Sequence, residues 1–332
     1  MDQRSYRPMT MNIELTTRCP LHCPQCYCSL TGGKDIPLDQ AIYWLREGGR
    51  MGVKDAMLSG GETMCYPHLY EVVAAAKKYC QNPCVALSGY HFTQESFEKL
   101  VDAGVAGIFI SLNGSTKALN EQTRDGFELA MDALALLKEN QYENTTINWV
   151  MHRSNGDDLP GMTALAERYH VKNLVVIGVK PDSAHTLHTL PLREQMYNVR
   201  DFIRQYRGPV KLCVESCFSP MLALLGETKL FGNLNVGRNK GCSAGLDAFS
   251  VNVDGLLSPC RHLEYFERFD TLEAYWDHSP VLQEIRELGE KKEEPCSRCG
   301  YGPYCRHCLA INAKINNKLA FGHETCTIFT EA

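Results

Sequence analysis

Sixteen cysteines in 332 residues are the part of this sequence with the most chemistry in it. Three stand in Cys19-Pro-Leu-His-Cys23-Pro-Gln-Cys26, a C-x3-C-x2-C loop. Three thiolates at that spacing can hold three irons of a cubane cluster and leave the fourth iron open. Structural zinc sites use four ligands. A second group lies near the carboxyl end, in Cys296-Ser-Arg-Cys299, Cys305-Arg-His-Cys308 and Cys326. Paired C-x2-C units are metal-binding spacing, and spacing alone leaves a zinc ribbon and an iron–sulfur site as alternatives. Cys28 reads as a bystander thiol, and Cys65, Cys80 and Cys84 as packing residues. None of the 11 histidines forms an H-x3-H or HExxH pair, and His22 reads as a turn residue.

Composition limits what these thiols can be for. The chain is 44% hydrophobic and 22% charged, ordinary globular values that exclude a disordered, collagen-like or coiled-coil chain. No window approaches 18 uninterrupted apolar residues, so no membrane span is expected. The segment Met1 to Met11 is polar and lacks a secretory signal, which predicts a cytoplasmic protein. Disulfides are then disfavoured and metal ligation leads. Lys and Arg total 34 against 39 Asp and Glu, a net charge of −5 with no long basic run, so no nucleic-acid face is expected.

The elements that must position the cysteines follow from hydrophobic periodicity. Strands are predicted at Asn12–Thr17, Asp55–Leu58, Cys84–Leu87, Ala106–Leu112, Thr145–Met151 and Asn173–Val179, with Val210–Val214 as a further strand. Helices are predicted from Asp39 to about Gly48, from Pro67, after a Thr93 cap, and over Phe127–Lys138, Leu159–Tyr169 and Leu192–Tyr206. Six strand–helix units in alternation argue for a parallel sheet, either doubly wound or a partial barrel. Functional residues then gather at the carboxyl ends of the strands. From Gly241 the chain is short-patterned and Cys-rich, with one helix near Pro280–Leu288. The length suits about two domains, placed at 1–215 and 216–332.

The C-x3-C-x2-C loop after the first strand, with Gly60-Gly61-Glu62 after the second, resembles the radical S-adenosylmethionine superfamily over roughly residues 10 to 215. The resemblance implies an α/β fold, a partial (β/α)6 TIM-like barrel, in which Cys19, Cys23 and Cys26 hold a [4Fe–4S] cluster. The open iron of that cluster binds S-adenosylmethionine, whose reductive cleavage gives a 5′-deoxyadenosyl radical. Gly60 and Gly61 let backbone approach the methionine group, and Glu62 joins its polar network. By the same resemblance Ser88, Ser111, Asn113 and Arg124 are cofactor contacts, and Ile177 faces the adenine. Gln25 stands where the family usually has an aromatic or apolar residue, and Tyr27 is expected to supply the stacking face instead.

The order Cys242, Gly255, Cys260 and then the tail cysteines resembles the SPASM domain, a small Cys-rich domain that binds two auxiliary clusters. One departure is the last pair, C-x2-C in place of C-x3-C. Carried over, Cys296, Cys299, Cys305 and Cys326 hold one auxiliary [4Fe–4S] cluster, and Cys242, Cys260 and Cys308 the other. No cysteine lies between Ser243 and Pro259. The second cluster therefore has an open iron, or Cys213 or Cys217 closes it. Cys213 and Cys217 are otherwise buried small hydrophobes, or donors of a hydrogen atom to a substrate radical.

SPASM proteins similar to this chain mostly modify peptides or proteins. The expected function is maturation of a ribosomally made peptide, by oxidative crosslinking, thioether formation or epimerisation. A formylglycine maturase of sulfatases, an aminosugar dehydrogenase and a non-catalytic metal-binding module are the alternatives. Expected partners are the peptide or protein substrate and an electron donor such as flavodoxin or ferredoxin. About ten residues precede the first strand, so a leader peptide would need a separate recognition protein, or the substrate is short.

Overall fold

The computed structural model describes residues 6–28, 33–226, 241–288, 291–302, 305–322 and 326. The alternating pattern becomes one nine-stranded sheet. Strands β1 (Thr10–Thr16), β2 (Asp55–Gly60), β3 (Asn82–Leu87), β4 (Gly107–Ser111), β5 (Thr145–Met151), β6 (Asn173–Gly178) and β7 (Lys211–Val214) lie side by side in chain order, each parallel to the next. The crossovers carry α1 (Leu38–Met51), α2 (Leu69–Cys80), α3 (Gln94–Asp102), a short α4 (Lys117–Asn120), α5 (Phe127–Glu139), α6 (Leu159–Arg168) and α7 (Arg193–Gln205). This is the partial-barrel fold that the sequence predicts.

Strand side chains divide by face. On β1, Met11, Ile13 and Leu15 are fully buried in the layer between sheet and helices. Thr10 and Asn12 face the other way, into the lumen. The same division puts Met57 and Ser59 of β2, and Asn148 of β5, on the lumen side. The apolar core therefore lies outside the curved sheet, and the inside stays a polar-lined space. Helix ends follow the sequence. Thr93 caps α3 in a capping box with Ser96, and Gly52 ends α1 with its φ at 94°.

After β7 the chain departs from expectation. Helix α8 (Ser219–Leu225) is followed by two further strands, β8 (Ala248–Val251) and β9 (Leu257–Ser258). β8 pairs parallel with β1, from Thr10 opposite Ala248 to Ile13 opposite Val251, and β9 pairs antiparallel with β8. Residues from the Cys-rich part thus cover the open edge of the first strand. Helices α9 (Leu272–His278), α10 (Pro280–Leu288) and α11 (Leu309–Asn316) complete the described structure. Only α10 was legible by periodicity; a four-residue strand and seven- or eight-residue helices are too short to show a period.

Contacts tie the two parts together. Tyr43 of α1 donates to the carbonyl of Asp270, and Arg50 meets Glu273 of α9 at 3.1 Å. Phe249, Leu272, Tyr275 and Trp276 belong to the same buried cluster as β1. A smaller cluster gathers Cys242, Leu246, Leu263, Cys308, Leu309 and Phe321. Phe249 is 1% exposed, and its ring meets Trp276 at 6.2 Å. Phe249→Ala should therefore cost about 3–5 kcal/mol. Urea denaturation should show far-UV dichroism and tryptophan fluorescence shifting together, since the residue lies in the shared core. A shift in fluorescence alone would separate the two parts.

Candidate active site

The Cys19 loop leaves β1 and is anchored on both sides. At its start, the Thr16 hydroxyl and the Arg18 Nε both donate to Asp35, at 2.6 and 3.1 Å. Along its length, the His22 N–H donates to Asp125 Oδ2 at 3.2 Å and the Gln25 N–H to the Thr123 carbonyl at 3.4 Å. The three thiols face one cavity of about 1370 Å³. A hydrogen bond from the Cys28 thiol holds Cys26 low, at about 6, helped by the Arg124 charge, whereas burial pushes Cys19 up to about 11. The Cys28 sulfur also lies 3.0 Å from the Gly60 carbonyl, so it braces the loop.

Gly60, Gly61 and Glu62 reach the same place from β2. The Gly61 N–H donates to the Thr16 carbonyl at 2.7 Å, and the Glu62 N–H to the Arg18 carbonyl at 2.8 Å. A Cβ on Gly60 would collide with the Thr16 carbonyl, and one on Gly61 with that of Arg18. Both glycines are therefore required by the root of the cysteine loop itself. Glu62 is 2% exposed. Its carboxylate accepts from the Met64 N–H at 3.0 Å, from the Ser88 N–H at 2.9 Å and from the Ser88 hydroxyl. Burial nonetheless raises its pKa. Ser88 is thus tied to Glu62.

The remaining predicted contacts all line the cavity: Tyr27, Ser111, Asn113, Arg124 and Ile177. Their engagements differ. Arg124 Nε donates to the Ser111 carbonyl at 3.0 Å, and its charge acts on Cys26 and Glu62. Asn113 is 1% exposed and clamps β4 to β5, donating to Asn120 and Thr123 and accepting from Trp149, Val150 and Asn155. Arg261 lies over the Tyr27 ring at 4.8 Å and His262 tilts against it at 4.6 Å, so residues next to Cys260 already cover that ring.

The later cysteines form two groups. Cys296, Cys299, Cys305 and Cys326 line one small cavity with Lys292 and Tyr301. Cys242, Cys260 and Cys308 lie within mutual electrostatic reach, and Cys217 joins them by a thiol hydrogen bond to Cys308. That bond holds Cys308 down, at about 7, while burial pushes Cys242 up to about 12 and Cys260 to about 11. The backbone N–H groups of Ala310 and Ile311, in the first turn of α11, also point at Cys308. Cys217 is therefore beside the three expected thiols. Cys213 is 1% exposed in the wall, hydrogen-bonds the Lys211 carbonyl at 3.7 Å and does not line the cavity. Among the described residues, no three His, Cys, Asp or Glu side chains close around a single metal-ion position.

The donor chemistry fits the cofactors that the motifs imply. Cys19, Cys23 and Cys26 open onto the cavity, Cys217, Cys242, Cys260 and Cys308 gather near one another, and none of these seven is in a disulfide. Buried Gln25 Oε1 and Ser59 Oγ have no hydrogen-bond partner, and both residues line the cavity beside the loop, as a polar ligand would require. The space exceeds that of a usual single small-molecule pocket, so it has room for S-adenosylmethionine and part of a substrate.

Residues missed in the sequence share a simple position. His152 follows β5, Lys180 follows β6, Glu215 follows β7, and all three line the cavity. The rule that function gathers at carboxyl ends of strands could have singled them out. His152 is 4% exposed and its Nε2 lacks a partner. Burial lowers its pKa to about 4. The unfolded chain takes that proton near 6.5, so between these values the unfolded state binds more protons. Stability is then fully present above about pH 6.5 and is lost as pH falls towards 4, by about 3 kcal/mol from this group. His152→Gln should flatten that part of the stability–pH curve, measured by urea denaturation at pH 7 and pH 4.5. An unchanged slope would show that the group is not held neutral.

A family model, the Radical SAM superfamily, matches residues 13–166. The PqqA peptide cyclase of Rhodopseudomonas palustris is 25% identical over 310 residues, covering 89% of this chain and 80% of that one. The mycofactocin maturase MftC of Mycolicibacterium smegmatis is 27% identical over 321 residues, covering 91% and 78%. Among solved structures, Streptococcus suis SuiB bound to its precursor peptide SuiA superposes with a TM-score of 0.76, at 17% identity, over 97% of this chain and 76% of that chain. The chain therefore carries a radical SAM domain over residues 13–166, and it is an enzyme whose cysteines suit S-adenosylmethionine and [4Fe–4S] chemistry.

Proposed function

We propose that this enzyme is a peptide maturase with three [4Fe–4S] clusters. Cys19, Cys23 and Cys26 hold the cluster that binds S-adenosylmethionine. Cys217, Cys242, Cys260 and Cys308 hold a fully ligated auxiliary cluster, and Cys296, Cys299, Cys305 and Cys326 hold the other. When bound, the first cluster and its cofactor supply a 5′-deoxyadenosyl radical, and the auxiliary clusters supply one-electron acceptors.

One observation carries the reading. The cavity has the Cys19 loop in its wall, and also Arg261 and His262, the neighbours of Cys260. A substrate there lies between the site that begins radical chemistry and a site that can take an electron. The name of one relative, a peptide cyclase, and the precursor peptide bound to SuiB support a peptide as the substrate. In this reading the chain's own residues hold and orient. Glu62, fixed by Ser88, keeps the second-strand turn against the cysteine loop, and Arg124 balances negative charge beside Cys26. A donor of the flavodoxin or ferredoxin type supplies the electron, and a leader-binding protein is a candidate partner.

The test is anaerobic incubation of the reconstituted enzyme with S-adenosylmethionine, reductant and short peptides encoded beside its gene, in D2O. A peptide two hydrogens lighter supports oxidative crosslinking or dehydrogenation, and a gain of one deuterium supports epimerisation. Deoxyadenosine with every such peptide unchanged would contradict the peptide reading. Cys23→Ala should abolish deoxyadenosine formation. Cys299→Ala should retain some deoxyadenosine and lose the peptide product. Equal product from the two variants would contradict the division of labour.

A further inference from the structure

We infer that Lys180 is an electrostatic tuning residue of the four-cysteine site: its ammonium favours the reduced form of the cluster held by Cys217, Cys242, Cys260 and Cys308. The inference rests on the ligand set proposed above. Lys180 lies two residues beyond β6, with a side chain only 10% exposed. Its Nζ donates to Glu215 Oε2 at 3.0 Å and to the Gly178 carbonyl at 3.4 Å. Lys180 lines the large cavity, and together with Cys217 and Phe218 it also lines a second, smaller cavity. It therefore stands between the substrate space and the thiols.

A buried ion pair is poor stabilisation, because two desolvated charges recover little more than they lose. This pair is also asymmetric towards the thiols. The Lys180 charge reaches Cys308, Cys260 and Cys217, whereas among these the Glu215 carboxylate bears on Cys217. Arg261, held over Tyr27, adds a second positive charge near Cys260 and Glu215. Lys314, the other cation on that wall, stands 4.0 Å from Glu264. Around the four thiols the local balance is two cations to one carboxylate. A cluster held by four thiolates is anionic, and adding one electron makes it more so. Fixed positive charge in a dry site favours that added electron, and nearby charge is one of the levers that set such potentials. Only an electron moves in this step; no bond forms or breaks.

The test is an EPR-monitored redox titration of the full chain, reconstituted anaerobically, with dithionite as reductant. Cys242→Ala first assigns the signal of the four-cysteine cluster and should remove about four irons per chain. Lys180→Met should lower the midpoint potential of that signal alone, and Lys180→Arg should restore it. Glu215→Gln should move the same midpoint the opposite way, which keeps the test open if Lys180→Met loads poorly. An unmoved midpoint in both variants, or an equal shift of every cluster, would overturn the inference. Full iron content in Cys242→Ala would instead overturn the ligand set beneath it.

Discussion

The site depends on a backbone contact that no side chain could survive. Two N–H groups of the turn after β2, those of Gly61 and Glu62, donate to two carbonyls at the root of the cysteine loop, those of Thr16 and Arg18. The contact closes only because residues 60 and 61 lack a Cβ. It fixes where the Cys19 loop begins, and it places Glu62 where its carboxylate meets Ser88 at the end of β3. Three successive strand ends are thereby locked together before any cofactor is considered. The buried Glu62 carboxylate tolerates its environment because three donors surround it.

From that lock the remaining geometry follows by layers. The sheet puts its apolar faces outward against the helices, which leaves a polar lumen wide enough for a large ligand. An open sheet of this kind has an exposed first edge, and β8 covers it. The same segment carries Cys242 and Cys260 on either side of β8 and β9, so edge protection and delivery of thiols to the cavity are one act. Cys217 arrives from the other direction, just beyond β7, and Cys308 from the start of α11. Four thiols distant in sequence thereby come within reach of one another.

Much of this was legible in the sequence, and the failures have physical reasons. The strands and helices through α7, apart from the four-residue α4, show clear periods, and Val210–Val214 matches β7 to within a residue. The Cys19 loop and Gly60-Gly61-Glu62 were legible because covalent spacing and chain order survive without coordinates. The role of the two glycines was read as approach of a ligand, whereas the structure adds a tighter reason in backbone contact with the loop. β8, α9 and α11 escape the sequence because they are short and lie outside the strand–helix alternation, so tertiary pairing decides them. The sequence leaves the fourth ligand beside Cys242, Cys260 and Cys308 open among an exposed iron, Cys213 and Cys217. Spacing cannot separate two thiols four residues apart, and only the turn after β7 puts Cys213 in the wall and Cys217 beside Cys308. His152 and Lys180 carry no motif, and only their place at strand ends marks them.

The central claim is that three separate groups of thiols hold iron. Anomalous iron scattering from anaerobically grown crystals of the reconstituted enzyme tests it directly. The account predicts three iron sites, at Cys19, Cys23 and Cys26, at the four thiols including Cys217, and at Cys296, Cys299, Cys305 and Cys326. Iron absent from the four-thiol pocket, or an iron site there that Cys217 does not touch, would contradict it.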